Sequence, residues 1–446
     1  VRVRFTTEEL ASATGGRVHG RSAEVDGVSI DSRTVQAGQL FVPIVADRDG
    51  HEFLVPAVAN GATAVLTSRP ASDLGDTGDA TAIEVSDTSA ALLDIGRAAR
   101  DRLPERVVGV TGSVGKTSTK DLLAAVLSST MVTAASERSF NNELGLPITL
   151  SGARPDTEAV VVEMGARCEG HIALLCEIAR PTVGVVTRVD GVHLEMFGDL
   201  EAVARAKGEL VEALPAGGLA VLNADQDAVA GMAKRTEADV LTFGVHGGAD
   251  VVAEDVQLDA GLRARFALRT PWGSAPVVLA VRGAHQVANA LAAAAAAIPS
   301  GVPLESVASA LGRAGISGLR MQLERTPSGA AVLNDSYNAN PTSMAAALDA
   351  LAELPGPRRT AVLGVMAELG PDAAQAHRSI GVRAATLGIR LVAVGAPDYG
   401  PDATHVGTVD EAVEAVGPIR EGDAVLVKGS RVAALERVAA ALVTGS

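Results

Sequence analysis

Between residues 106 and 117 the chain passes from a short apolar run, Val107-Val-Gly-Val110, through a glycine loop, Gly112-Ser-Val-Gly115-Lys116-Thr117, into a segment patterned as a helix. Strand, loop and helix in that order open a βαβ unit, and a parallel strand pair needs such a crossover. Two more runs, Val160-Val-Val-Glu163 and Val183-Gly-Val-Val186, each end where polar residues begin. Runs without alternation belong to strands covered on both faces, so a parallel sheet with its ligand groups at the carboxyl edge is predicted. Between 250 and 281 the pattern alternates, with turns at Asp259-Ala-Gly261 and Pro271-Trp-Gly273, which predicts an antiparallel excursion. A helix resumes over 284–297.

Both flanks are α/β as well. Thr6 or Thr7 precedes a helical pattern over 8–14 that stops at Gly15-Gly16. Strands follow near 38–43 and 64–66, and a helix over 55–60 ends at Gly61. Asp87 and Ser89 open a helix over 90–102, closed by Leu103-Pro104. A third alternating unit begins near Gly318, with apolar runs at 331–333, 360–363, 391–394 and 424–427. The reading is an α/β chain of three domains, 1–104, 105–316 and 317–446, in keeping with a 446-residue length.

Aromatic residues are 2% of the chain and its net charge is −15, so base stacking and polybasic membrane binding are disfavoured. An anionic ligand must be held by local geometry. Cys168 and Cys176 are too few for a disulfide framework and, with His171 between them, lack the paired spacing of a zinc site; ordinary thiols of a cytoplasmic protein are expected. The apolar run 290–298 is too short to span a bilayer, and no signal-peptide pattern opens the sequence.

The glycine loop carries the clearest chemistry. Its backbone N–H groups and the following helix N-terminus form a phosphate cradle, Lys116 adds a point charge, and the Thr117 hydroxyl suits Mg²⁺. The alternative is a structural glycine turn. Glu163, at a predicted strand end, suits a metal ligand or an ordinary strand-end charge. His193 follows the Val183–Val186 run, where a structural histidine is the blander reading. Lys207 lies in a predicted helix over 200–214, capped by Asp199, and is one of five lysines (116, 120, 207, 234 and 428) in a chain that otherwise uses arginine.

Taken together and in order, these motifs resemble the Mur ligase family of ATP-dependent amide-bond-forming enzymes. Asp31-Ser-Arg33, Gly38-Gln-Leu-Phe-Val42 and Asp49-Gly-His-Glu-Phe53 look like the family's uridine-nucleotide-binding domain. Asn141-Asn-Glu-Leu-Gly-Leu-Pro147, Glu163-Met-Gly-Ala166, Asn334-Asp-Ser-Tyr-Asn-Ala-Asn-Pro341, Met366-Ala-Glu-Leu-Gly370 and Val427-Lys-Gly-Ser-Arg431 resemble the branch that joins D-Ala-D-Ala to UDP-MurNAc-tripeptide. The resemblance implies a small N-terminal uridine-nucleotide domain, a central P-loop ATPase domain and a C-terminal Rossmann-like domain. It implies ATP held by Gly112, Ser113, Val114, Gly115, Lys116, Thr117 and Ser118, with Asn289 on adenine, Asp335 on ribose and Arg320 reaching the γ-phosphate. Two Mg²⁺ sites are implied, one on Thr117 and Glu163, the other on His193 with a CO₂-derived carbamate on Lys207. Lys116, His193, Lys207 and Arg320 are the implied catalytic set, and Ser32, Arg33, Asn141 and Asn142 the substrate contacts. A cytoplasmic monomer is implied, with no nucleic-acid partner.

The sequence departs from the family at three places. Thr187-Arg-Val-Asp-Gly-Val-His193 replaces the usual T-N-I-G-x-A-H, which puts Arg188 and Asp190 where they can pair with each other. Gln286 stands for asparagine, and Val365 for aspartate. A Mur-type ligase with another amine, or a nucleotide-binding homologue without ligase activity, are the competing readings. ATP-dependent phosphate release that needs both substrates separates the ligase readings from the last, and which amine supports turnover separates one ligase reading from the other.

Overall fold

The computed structural model describes residues 2–137, 139–191 and 194–445. Val192 and His193 therefore lie outside the described residues, and with them the expected metal role of His193.

The first hundred residues build two small sheets. Arg4–Thr6 pairs antiparallel with Glu24–Asp26. A five-stranded sheet runs in the order Arg17–His19, Thr81–Glu84, Ala64–Thr67, Leu40–Phe41, Val28–Ser29, and only its first pairing is antiparallel. Thr6 caps the helix Thr7–Thr14 in a reciprocal box with Glu9, and Gly15 ends it at φ 64°. The Asp87 side chain accepts from Ser89 N and Ala90 N and so starts the helix Thr88–Arg100.

That helix fastens the N-terminal part to the rest. Its Gly96 faces Pro147 and Ile178 so closely that a Cβ would sit 3.0 Å and 3.1 Å from their side chains. Arg100, buried, donates from Nε to the Ala179 carbonyl at 2.6 Å. One continuous apolar core runs from Val3 and Leu10 through Leu92 and Ile95 to Leu175 and Leu222. The chain passes Pro104 without interrupting that core.

The central sheet has nine strands in the order Thr133–Ala135, Ala159–Glu163, Val107–Thr111, Val183–Val186, Leu219–Asn223, Asp239–Gly244, Val251–Leu258, Arg263–Thr270, Gly273–Arg282. The first seven are parallel and the last two antiparallel. Every residue of Val107–Thr111, Ala159–Glu163 and Val183–Val186 is buried, whereas Arg263–Thr270 alternates buried and exposed along most of its length. The apolar runs and the alternating segment thus mark the doubly covered and the half-solvated parts of one sheet. The helix Gln286–Ala297 is buried almost all round, and its alanines let it lie close against the helix Lys116–Leu127.

The last sheet runs Gln322–Arg325, Ala331–Asn334, Ala424–Lys428, Arg359–Leu363, Arg390–Val394, Thr404–Val406, antiparallel only in its first pair. Its carboxyl edge, carrying Asp335 and Lys428, faces the central sheet's carboxyl edge across a cavity. No described helix is long and apolar enough to cross a membrane.

Cys176 is packed in the core, where burial pushes its thiol up to about 12, with the charges of Glu209 and Glu177 adding to the rise. Cys168 is exposed. A thiolate-selective reagent at pH 8 is expected to label one cysteine in the folded protein and both in denaturant; two fast-reacting thiols in the native state would contradict this packing.

Candidate active site

The glycine loop is shaped by what presses on it. Gly112 lies at φ 143°, and a Cβ there would fall 2.0 Å from Thr187 Oγ1. Gly115 lies at φ 88°, with Asn289 Oδ1 2.5 Å from where its Cβ would be. Only glycine meets both the backbone angle and the space. The segment after the Val183–Val186 strand wraps the loop from outside: Ser113 N donates to the Arg188 carbonyl at 2.7 Å and Thr187 Oγ1 to the Val114 carbonyl at 2.6 Å. Arg188 and Asp190 pair with each other through two hydrogen bonds at 3.0 and 3.1 Å. The pair lies within the wrapping segment itself.

The loop opens on a cavity of about 710 Å³ bounded by the central and C-terminal sheets. Ser113, Val114, Gly115, Lys116, Thr117 and Ser118 line it from the loop and helix start. Glu163 and Lys207 line the same space, with Asn141 and Asn142 from the segment before the Gly145–Ser151 helix. Asn289, Arg320 and Asp335 complete it. Gly112 sits behind the lining, where its packing sets the loop's path.

Lys116 folds back on its own loop, donating to the Gly112 and Ser113 carbonyls at 2.7 and 3.2 Å. Burial lowers its pKa, Glu163 opposes that shift and Arg320 adds to it. Glu163 is 1% exposed; Oε1 accepts from Asn141 Nδ2 at 2.8 Å, while Oε2 is buried with no hydrogen-bond partner among the described residues. A buried carboxylate oxygen left in that state is costly, and a hard cation is the group that satisfies it. Among the described residues no cluster of three or more His, Cys, Asp or Glu side chains can hold a metal alone. A cation beside Glu163 must therefore take ligands from elsewhere, and the Thr117 hydroxyl lines the same cavity.

Lys207 sits on the helix Leu200–Glu212, which Asp199 caps by accepting from Ala202 N at 2.7 Å. It is 1% exposed, and its ammonium is pushed down to about 7 by burial, with the Lys116 charge adding to the drop. Arg320 crosses from the C-terminal side: its Nη2 donates to Thr117 Oγ1 at 3.1 Å and its guanidinium lies 4.1 Å from the Tyr337 ring centre. The Tyr337 hydroxyl in turn hydrogen-bonds Ser139 on the central side. Leu319 and Met321, on either side of Arg320, both hold positive φ (61° and 49°), a conformation that persists only where neighbours over-determine it.

Asp335 Oδ2 accepts from the buried Lys428 at 2.5 Å, and Oδ1 from Met321 N at 3.0 Å. Asn289 donates to Gln286 Oε1 at 2.8 Å and its Oδ1 accepts from Thr119 at 3.3 Å. The glutamine in place of asparagine thus reaches back to hold the Asn289 amide.

Ser32 and Arg33 are not among the lining residues. Arg33 folds onto Asp31 at 2.7–2.9 Å and holds its carboxyl down to about 2, while the Ser32 carbonyl accepts from Asn60. Nearby, His51 Nε2 accepts from Ser68 N at 3.0 Å, so its Nδ1 carries the proton donated to Asp49 at 2.6 Å. His171 pairs with Glu143 at 2.8 Å and Cys168 is exposed on the same loop. Tyr337 and Ser139 went unread in the sequence. The available signal was scarcity, since Tyr337 is one of two tyrosines and lies in the Asn334–Pro341 stretch.

Residues 110–297 match the Mur ligase middle domain, and residues 319–431 match the Mur ligase glutamate ligase domain. The UDP-N-acetylmuramoyl-tripeptide–D-alanyl-D-alanine ligase of Mycobacterium tuberculosis (strain H37Rv) is 41% identical over 99% of this chain and 98% of its own. The enzyme of that name from Escherichia coli K12 is 35% identical over 99% of this chain and 98% of its own. Among solved structures, MurF from Acinetobacter baumannii superposes with a TM-score of 0.89 at 30% identity, covering 99% of both chains. MurF from Thermotoga maritima in complex with ADP gives 0.81 at 28% identity, covering 93% of this chain and 96% of its own. With relatives of that similarity along its whole length, the chain belongs to the Mur ligase family.

Proposed function

We propose that this protein joins D-alanyl-D-alanine to UDP-N-acetylmuramoyl-tripeptide at the expense of ATP, the activity named for its full-length relatives. The observation that carries the reading is one cavity in which a glycine phosphate loop, a buried unpartnered carboxylate oxygen, a buried lysine and an arginine from the opposite sheet converge. Three domains, 1–104 for the uridine substrate, 105–316 for ATP and 317–446 as the Rossmann-like closing unit, are the boundaries that fit this division of labour.

In this reading the terminal carboxylate of the tripeptide attacks the γ-phosphorus, ADP leaves, and an acyl phosphate forms. The dipeptide amine then attacks the acyl carbon, loses a proton, and expels inorganic phosphate. The loop amides and Lys116 hold the phosphates, and Arg320 neutralises charge as it shifts from the γ-phosphoryl group to the β-phosphate. Thr117 and Glu163 fit one Mg²⁺, which when bound screens the phosphate charge that would repel an incoming carboxylate. The Lys207 amine is partly neutral near pH 7, the form to which CO₂ adds with release of a proton, and the resulting carboxylate on a long arm fits a second Mg²⁺ with His193. Asn141 orients Glu163, and Asn289 and Asp335 fit the adenine and ribose ends of ATP. Ser32 and Arg33 remain the uridine-side contacts of this proposal, acting away from the cavity.

Phosphate release from ATP is expected to require both UDP-MurNAc-tripeptide and D-Ala-D-Ala, with the pentapeptide product visible by mass. Turnover with a different amine and not with this one would reassign the acceptor. Arg320→Ala is expected to slow turnover by about 1,000-fold while uridine-substrate binding is retained; a loss confined to that binding would contradict the phosphoryl role. Lys207→Ala is expected to lose activity by at least about 100-fold and to regain part of it with added short-chain carboxylate. A carbon-13 carbamate resonance, present in the parent and absent from Lys207→Ala, reads the modification independently of turnover.

A further inference from the structure

Lys116, Lys207 and Lys428 all line the cavity, but Lys120 does not, although at 2% exposed it is as buried as Lys207 and Lys428. Its ammonium is held by the Ser136 carbonyl at 2.7 Å and by an ion pair with Asp121. Ser136 also accepts, through Oγ, from the backbone N–H of Glu163 at 3.2 Å. Asp121 uses its other oxygen on a residue 196 positions away: Oδ2 accepts from Ser317 N at 2.7 Å and from Ser317 Oγ at 2.8 Å.

Ser317 belongs to the segment between the helix Leu304–Leu311 and the strand Gln322–Arg325, where the chain leaves the central part for the C-terminal sheet. Three residues on is Arg320. The far side of that short span is fixed too: Tyr337 N donates to the Leu319 carbonyl at 3.1 Å, and Met321 N to Asp335 Oδ1 at 3.0 Å. Thr117, which accepts the Arg320 guanidinium, and Asp121, which holds the start of the span, are four residues apart on one helix, hence on the same face one turn apart.

We propose that Asp121 is a positioning residue for Arg320. Its carboxylate pins the crossing segment at Ser317 to the same helix that presents Thr117, so the reach of the guanidinium toward the phosphate site is measured along one helical turn. Lys120 pairs with that carboxylate and ties it through Ser136 to the strand end bearing Glu163. The anchor therefore indexes Arg320 against both Thr117 and Glu163. The proposal rests on the assignment of Arg320 to the phosphoryl group.

The test is a double-mutant cycle on the full chain, with phosphate release measured for Asp121→Ala, Arg320→Ala and the pair, alongside thermal midpoints. If Asp121 acts through Arg320, Asp121→Ala lowers kcat by about tenfold or more with the KM for both substrates little changed, because misplacing a reacting group costs rate rather than binding. In the Arg320→Ala background the same change then costs less than about twofold. An equal loss in both backgrounds, or full kcat in Asp121→Ala, overturns the proposal. Should Asp121→Ala fail to fold because Lys120 loses its counter-ion, Ser317→Ala carries the same cycle, since it deletes one donor and leaves the ion pair intact. An Arg320→Ala enzyme as fast as the parent sinks the phosphoryl assignment and this proposal with it; a slow Arg320→Ala beside additive losses sinks only the anchor.

Discussion

The site depends on a steric fact at the end of one strand. Where Val107–Thr111 gives way to the loop, Thr187 from the neighbouring strand's end occupies the space a side chain at residue 112 would need. The backbone must turn there with φ at 143°, and the loop amides are aimed by that turn. Asn289 imposes the same demand at Gly115. Two contacts between adjacent elements thus convert a parallel sheet edge into a phosphate cradle. The backbone of Arg188 and Asp190 holds the loop at Ser113.

Electrostatics then sort the charged groups by burial. The chain carries −15, yet the groups around the cavity include Lys116, Lys207, Arg320 and Lys428. Two of these have a pKa lowered chiefly by burial, so the protein concentrates cationic side chains where an anionic ligand would stabilise them. Glu163 sits among them with one oxygen, and Arg320 with its buried Nε, unpaired among the described residues. These are features of a site organised around charges it does not itself supply.

Much of this was legible from the sequence because apolar runs and glycine loops report local geometry directly. The runs at 107–110, 160–163 and 183–186 fall in fully buried strands of the central sheet. Thr133–Ala135 was not legible, since a three-residue strand of threonine and alanine carries no periodicity, and Asp239–Gly244 begins with exposed residues. Gln322–Arg325, polar at both ends, reads as loop and is an edge strand. For the site, Lys116, Thr117, Glu163, Lys207 and Arg320 do converge on one cavity. The pairing of Ser139 with Tyr337 and of Asp121 with Ser317 spans nearly two hundred residues, and no spacing rule in one sequence encodes such contacts.

The unbroken core across Pro104 bears on how this architecture can be rebuilt. Gly96 meets Pro147 and Ile178 at van der Waals limits, and Arg100 is spent on a carbonyl of the helix His171–Ala179. An N-terminal unit grafted from a relative would arrive with its own relief and meet a surface cut for another. Exchange of substrate heads within such ligases is thus constrained by the shape of a seam: a working chimera has to carry residues 145–151 and 171–179 along with the head.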